Sequence, residues 1–570
     1  MHRLRALHAA VGEQPDVRAW VRRCLEVLGC GFDAAPSDLE RIPAEGGLLV
    51  VANRPFGTLE GLLALHLLGT VRDDVRVLTG DDAPRVDALE AAQLHVGARG
   101  RGVRDAARWL REGHCLIAFP AAGIAQRAKG EKATSDPAWG PLAARLARRA
   151  ACPVLPVYFE GGNRRLVQLA DRLHRRLGTA LLPRTLLDQV GRTIHARVGK
   201  PILPAALARF GEPSEAAAYL RLRTHVLGRS LPQDASKTQR LVRLLRPRTS
   251  LGTALAPAID PDLLAADIAA LDPSARLADG GDLEAWLAPA ERLPHVLPEI
   301  GRLREETFRA VGEGTGQATD LDRFDRDYLH LFLWEPKTRR IAGAYRLGPT
   351  DRLLARGGLR ALYTSTLFDM DRKFVEHVTP GLELGRSFVR PEFQRSFMPL
   401  LLLWRGIGEF VARNPQYHRL FGPVSISASY SPASRDLIVE HLREHEFLPE
   451  FANLVRAKRP HRAESAPRYG LRWTPSMLRD LGEVSAMVAD MERDAKGVPV
   501  LIREYLKLGG KILGFNVDPD FANVVDGLVM ADLAETERRL LVRYMGAEGA
   551  DRFLEAQKRA MRGGVVLQGV

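Results

Sequence analysis

The chain has 570 residues, 46% of them apolar and 26% charged, and carries a formal net charge of +13. Such a composition excludes a disordered chain, and the length exceeds what one hydrophobic core accommodates, so two or more domains are expected. Its four cysteines, Cys24, Cys30, Cys115 and Cys152, have no metal-ligand company nearby, which reads as a reduced, cytoplasmic protein without a metal site.

The opening MHRLRALHAAVGEQP is charged from the start and lacks the apolar core of a secretory signal; residues 1–44 are read as a helical segment. From 45 to 205 short apolar runs (GGLLVVAN, VRVLTG, CLIAFPAAG, CPVLPVYFEGGN, HARVGKPI) alternate with amphipathic stretches such as RDAARWLREG, the signature of an α/β layer fold. Residues 206–275 read as a basic helical linker, ending in the Pro, Gly, Ser and Thr of RPRTSLGTALAPAIDPD. Within it Arg221, Arg223, Arg229, Lys237, Arg240, Arg243, Arg246 and Arg248 face only Asp234. A solvated helix face and a lipid-headgroup patch both fit these residues. Nucleic acid is disfavoured, because neither aromatic interleaving nor a recognition motif accompanies the charge. A second α/β region spans 276–450, where HLFLWE and RIAGAYRL form a hairpin around Pro336 and Lys337 and GPVSISASY forms another strand. Residues 451–570 read as mostly helical. The longest apolar runs, LLVVA and PLLLLW, fall far short of the roughly 18 residues of a membrane span, so membrane contact is expected to be peripheral, on the inner face.

Five motifs in the first region carry a resemblance: NRPFGTLEG at 53–61, FPAAGIAQ at 119–126, SDPAWGPLAARLARR at 135–149, PVLPVYFEGGNRRL at 153–166 and VGKPI at 198–202. In order and spacing they resemble the glycerolphosphate-type lysolipid O-acyltransferases. That family places a histidine after the asparagine, oriented by an acidic residue five or six positions on, to take the proton of a lysolipid hydroxyl. Asn53 and the acid Glu60 match, but the histidine position holds Arg54, whose guanidinium cannot act as a base. The acceptor-binding loop also departs, reading Phe119, Pro120, Ala121, Ala122, Gly123. Two departures suggest a non-catalytic domain unless another histidine, His66 or His114, substitutes.

From 304 the motifs are REETFRAVGEGTG, DLDRFDRDYLHLFLWE, GAYRLGPT, ELGRSFVRPEFQRSF and GPVSISASY, extending into KGVPVLIREYLKLGGKILGFNVDPDF. They resemble the N-acyltransferase half of ornithine-lipid synthases, which is similar in turn to the acyl-homoserine lactone synthases, both variants of the GNAT fold. The resemblance implies attack of an α-amine on an acyl thioester. It carries over to Arg304 and Phe308 as substrate-binding, and to Asp322, Asp325, Arg346, Glu383 and Arg386 as catalytic: carboxylates to hold and deprotonate the amine, an arginine fork for the acceptor carboxylate. Each has a structural alternative as a helix face, a solvated turn or an ion pair. Glu383 and Arg386, three positions apart, need a bulge or strand end to reach one pocket. GEGTG at 312–316 is followed by no Lys-Ser or Lys-Thr, so it is read as a mobile gating loop and not a phosphate loop.

No glycine follows VRPEF, so the backbone cradle for the pyrophosphate of coenzyme A is missing. This favours acyl carrier protein, an acidic partner, as donor, with no bound cofactor. The resulting expectation is a two-domain α/β chain, glycerolphosphate-acyltransferase-like then GNAT-like, that N-acylates ornithine or a similar amino acid with a 3-hydroxyacyl group and carries an O-acyltransferase-like domain for lysolipid. The alternatives are a non-catalytic lipid- or acyl-carrier-binding module, a lysophospholipid O-acyltransferase, and a diffusible-signal synthase.

Overall fold

The structure is a computed structural model that describes residues 10–56, 59–80, 87–97, 101–121, 136–161, 191–229, 253–463 and 473–565. It separates into two compact units. The first comprises Met1–Ala235 with Pro432–Asp436 and Ala463–Gly497; the second comprises Ser236–Ser431, Leu437–Arg462 and Val498–Val570.

The first unit is built on a seven-stranded sheet of order β1-β7-β6-β2-β5-β3-β4. The strands are β1 (Gly31–Ala34), β2 (Leu48–Ala52), β3 (Val75–Gly80), β4 (Gln93–Val96), β5 (Cys115–Ala118), β6 (Val154–Phe159) and β7 (Thr193–Val198). All neighbours are parallel except β6 with β7. Every residue of β2, LLVVA, is buried, as expected of a central parallel strand covered on both faces. Helices α1 (Val17–Val27) and α2 (Leu59–Gly69) pack into the core on one side through Trp20, Val21, Leu25, Leu63 and Leu67. Helices α3 (Arg101–Arg111), α4 (Leu142–Ala150) and α5 (Pro213–Leu227) pack against one another and against the sheet outside that core cluster, and the helix Leu481–Met491 joins them by packing on α5.

Two expectations change here. Segment 1–44 contains strand β1, which pairs with β7. Gly31 and Asp33 interrupt its apolar pattern, and a half-exposed edge strand shows little contrast. Within the supposed linker, α5 belongs to this unit: Arg223 is buried on Asp490 at 3.3 Å, and Arg221 donates to the Asp136 carbonyl at 2.7 Å. Neither is a solvated lipid patch; the residues from Lys237 to Arg248 lie outside the described ones.

The second unit holds an eight-stranded sheet of order β16-β17-β14-β13-β11-β10-β9-β8. These strands are β8 (Arg276–Gly280), β9 (Leu283–Pro289), β10 (Leu329–Glu335), β11 (Arg340–Pro349), β13 (Leu382–Val389), β14 (Arg419–Ile426), β16 (Lys511–Asp518) and β17 (Val524–Asp532), while β12 (Phe368–Met370) and β15 (Val455–Ala457) pair separately. The hairpin around Pro336 and Lys337 is β10–β11, as expected. Helix α6 (Pro261–Ala269), from the supposed linker, and helix α7 (Val296–Ala310) bury Leu264, Ile268, Ile300 and Leu303 against Phe332, Ile341 and Phe388.

The C-terminal segment is mostly helical, as expected, but it also supplies β16 and β17, which complete the sheet. Their apolar runs are broken by Gly514, Asn516, Asp526 and Gly527, and burial on both faces removes the alternation that marks a half-exposed strand. Only β13 and β14 are parallel, connected through helix α8 (Met398–Arg413), and they pair solely at Leu382↔Leu420 and Glu383↔Phe421. Beyond that point β13 stays with β11 and β14 stays with β17, so the sheet opens between them.

Candidate active sites

In the second unit Arg304, on α7 and 1% exposed, grips Asp325 with two hydrogen bonds of 2.9 Å each and lies 3.2 Å from the Asp320 carboxylate. From β11, Arg346 reaches Asp322 at 2.7 Å and Asp325 at 3.2 Å. The turn between is self-organised: Asp322 donates its amide to Asp325 at 2.8 Å and accepts that of Phe324 at 2.8 Å. Burial alone raises the Asp325 carboxyl, but the Arg304 and Arg346 charges outweigh it and hold it well below the usual carboxylate range. Asp325 is therefore a fixed anion, and Arg304 is committed to it. The structure thus joins Arg304 and Asp325, expected as substrate-binding and catalytic, to each other and to Arg346 in one buried network. Phe308 meets Phe521 edge to face at 5.3 Å.

Arg386 stands at φ +50, where the β11–β13 register slips: Ala344 pairs with Phe388 but Arg346 with Gly385. Of the bulge or strand end that the Glu-x-x-Arg spacing called for, the structure has the bulge. A side chain in left-handed backbone is strained, and such strain concentrates at functional sites. The bulge aims the guanidinium to 3.7 Å from Asp320 and 3.6 Å from Asp322, over the rings of Tyr363 (5.1 Å) and Phe521 (4.8 Å). Its Nε is buried without a hydrogen-bond partner among the described residues.

Glu383, 1% exposed, accepts from the Tyr328 hydroxyl, the Tyr363 amide (3.2 Å), the Thr364 amide (2.6 Å) and the Thr364 hydroxyl (2.6 Å). Four donors occupy the carboxylate, so it positions the Tyr363–Thr364 turn beneath Arg386. Loop 312–316 is hydrogen-bonded to α7, because Glu305 accepts from the Thr315 amide (3.0 Å) and hydroxyl (2.7 Å) and from the Gly316 amide (2.8 Å).

In the first unit Asn53 clasps β2 to β6, donating to the Phe159 carbonyl at 2.9 Å and accepting its amide at 2.7 Å. The Arg54 amide donates to both oxygens of Asp136 at 3.2 Å, and Glu60 accepts the Phe56 amide. Phe119 packs against the core and the Pro120 carbonyl accepts the Gly140 amide at 3.0 Å; Gly123 lies outside the described residues. Neither suggested substitute adjoins this place. His66 sits edge-on to Phe32, and His114 stacks on Trp109 beside Asp74.

Residues 303–404 match the acetyltransferase (GNAT) domain family, and residues 7–235 match an acyltransferase family. The chain joins two acyltransferase domains. It is similar to a glycine N(alpha)-acyltransferase of Bacteroides thetaiotaomicron, 34% identical over 33% of this chain and 58% of that protein's length. It is also similar to the glycine N(alpha)-acyltransferase of Phocaeicola vulgatus, 26% identical over 53% of this chain and 94% of the relative. The L-ornithine N(alpha)-acyltransferase of Agrobacterium fabrum is 25% identical over 47% of this chain and 86% of the relative. The 1-acyl-sn-glycerophosphate acyltransferase PlsC of Thermotoga maritima is 17% identical over 44% of this chain and 84% of that one, at a TM-score of 0.26, too low to support structural inference.

The second unit also holds a group that the sequence reading missed. Asp526 of β17, 4% exposed, accepts from Ser425 of β14 at 2.7 Å. Burial, with Asp518 and Glu313 nearby, pushes its carboxyl up to about 7 against the opposing pull of Ser425 and Arg386. One sequence signal was present: Asp526 is the sole charged residue between Val524 and Ala531, inside an otherwise buried apolar strand.

Proposed function

We propose that the GNAT domain N-acylates the α-amine of an amino acid, ornithine or a close relative, with a 3-hydroxyacyl group delivered by acyl carrier protein. The observation that carries this reading is the conjunction, beside the opening between β13 and β14, of Arg386 on its bulge and the buried Asp526. A zwitterionic acceptor needs both groups: a guanidinium for its carboxylate and a base for its ammonium. Asp526, titrating near the working pH, takes the amine proton, while the Arg304–Asp325–Arg346 framework and Glu383 hold the parts in place. The amine then attacks the thioester carbonyl and the carrier thiol leaves.

Two further features support the donor and the setting. Helix α8 opens on Phe397 and Met398, 43% and 39% exposed, with proline next and no glycine turn, which suits a donor held by its protein part. Among the described residues no helix is long and apolar enough to cross a membrane, so the cytoplasmic membrane surface is proposed as a peripheral site of action. The test is mass spectrometry of lipids from cells expressing the full chain: a phosphorus-free, ninhydrin-positive lipid with an amide-linked acyl chain is expected. Its absence, with no N-acylation by purified protein given acyl-carrier thioester and ornithine, overturns the reading.

A further inference from the structure

We propose that His225, paired with Asp136, is the general base of the acyltransferase domain, replacing the histidine that the lysolipid-acyltransferase resemblance calls for at position 54, and that it serves transfer to the hydroxyl of an N-(3-hydroxyacyl) amino acid. The choice of acceptor rests on the function proposed above.

Asp136, 2% exposed, touches both places. Its carboxylate receives the Arg54 amide, and His225 Nε2 of α5 lies 3.8 Å from its Oδ2. The carboxylate is held by Trp139 Nε1 at 3.0 Å, and its backbone by Arg221 at 2.7 Å, one helical turn before His225. The His225 side chain is 10% exposed and its Nε2 has no hydrogen-bond partner among the described residues. A buried polar atom without a partner is costly unless another state satisfies it. At 3.8 Å the pair is longer than a hydrogen bond, as catalytic contacts often are before substrate binds.

Location agrees with the chemistry. Arg54 follows the end of β2 and Tyr158, whose ring lies 5.9 Å from the imidazole, is near the end of β6; carboxyl ends of parallel strands are where α/β sheets bind ligands. The groups around the imidazole are Asp136, Trp139 and Tyr158, with Arg221 on the same helix and Arg229 and Glu160 acting on Tyr158. Burial pushes the Tyr158 hydroxyl up to about 12, so it stays neutral.

Asp136 favours the proton on Nε2, leaving the Nδ1 lone pair as base. In the step, Nδ1 takes the hydroxyl proton as the oxygen attacks the thioester carbonyl. The tetrahedral adduct collapses, the carbon–sulfur bond breaks, and the thiolate leaves with the proton from the imidazolium. The products are an ester and a free thiol.

The test uses the purified full chain with acyl-carrier thioester and N-(3-hydroxyacyl)ornithine, ester formation being followed by mass spectrometry. Expected are esterification that declines on acidification, as the imidazole is protonated, and a loss of about 10² to 10⁴-fold in His225→Gln. A wild-type rate in that variant overturns the proposal. So does a pH profile flat through the histidine range, which needs no variant and is immune to misfolding of His225→Gln. Absence of esterification by wild-type chain that still N-acylates ornithine overturns it as well. Esterification without N-acylation refutes the GNAT reading instead and leaves His225 standing.

Discussion

Asp325 and Asp526 belong to one unit and are buried alike, 3% and 4% exposed, yet burial has opposite outcomes for them. Asp325 meets two buried guanidinium groups and is held ionised well below the usual range. Asp526 meets a serine hydroxyl, has no cation within ion-pair distance among the described residues, and is pushed up to about 7. Paired burial makes a frame; unpaired burial makes a group that gains or loses a proton near neutrality. Arg386 lies between the two environments, within ion-pair distance of Asp320 and Asp322 on one side and lowering Asp526 electrostatically on the other.

The largest break is at the frame. Asp325→Asn leaves Arg304 and Arg346 buried against a neutral amide, and loss of one partner of such a pair costs about 3–5 kcal/mol. Denaturant unfolding should register that loss, with N-acylation abolished. The sign with pH follows from the depressed carboxyl: its stabilisation is present above the unfolded value near 3.9 and is lost as pH falls below it. The variant should lack that acid limb. Equal stability of the two proteins would mean that Asp325 is not the anchor of the frame.

Asp526→Asn should behave in the opposite sense. N-acylation should fall by about 10² to 10⁴-fold, and the rise in rate through about pH 7 should vanish. Because the folded carboxyl is raised, its contribution to stability is present below the unfolded value and is lost as pH rises through about 7. The variant should therefore be more stable than wild type at pH 8, by on the order of a few kcal/mol, and little different at pH 4. Thermal unfolding at the two pH values measures this, and a variant less stable at pH 8 contradicts the assignment.

How far these groups were legible follows from chain separation. The run LLVVA announced β2 because a doubly covered parallel strand is continuously apolar, and HLFLWE with RIAGAYRL announced β10–β11 through a short turn. The resemblance placed Arg304, Asp322, Asp325, Arg346, Glu383 and Arg386 in one unit, and the spacing of Glu383 and Arg386 called for a bulge or a strand end, of which the structure has the bulge. Their division of labour was hidden. That Arg304 is spent on Asp325, and Glu383 on Tyr328 and Thr364, depends on tertiary packing. Asp526 was lost because its segment read as helical, which detached it from a site more than a hundred residues earlier. His225 lay in a stretch read as a linker.

Glu383→Gln sharpens the boundary between frame and chemistry. The glutamine amide brings a donor against the hydroxyl and amide donors of Tyr328, Tyr363 and Thr364, so one buried group loses its acceptor, at about 1–3 kcal/mol. Stability should fall while the pH dependence of N-acylation keeps its form. A variant of unchanged stability whose rate collapses and whose pH profile shifts would return the amine proton to Glu383 and demote Asp526.

The smallest effect is expected at Phe521, which precedes β17 and touches both sides of the comparison. Its ring lies 4.8 Å beneath the Arg386 guanidinium and meets Phe308 edge to face at 5.3 Å. Phe521→Leu keeps an apolar side chain in the buried place but removes the ring face, and a cation–π contact is worth about 0.5–2 kcal/mol. Arg386 keeps its charge and its carboxylate neighbours, so what is lost is orientation of the fork. If that fork holds the acceptor carboxylate, acceptor KM should rise roughly two- to thirtyfold, the same energy expressed as affinity, with kcat nearly unchanged because Asp526 is untouched. A fall in kcat at constant KM would instead place Arg386 on the transition-state side of the reaction, close to the thioester carbonyl, and the acceptor carboxylate would need another partner.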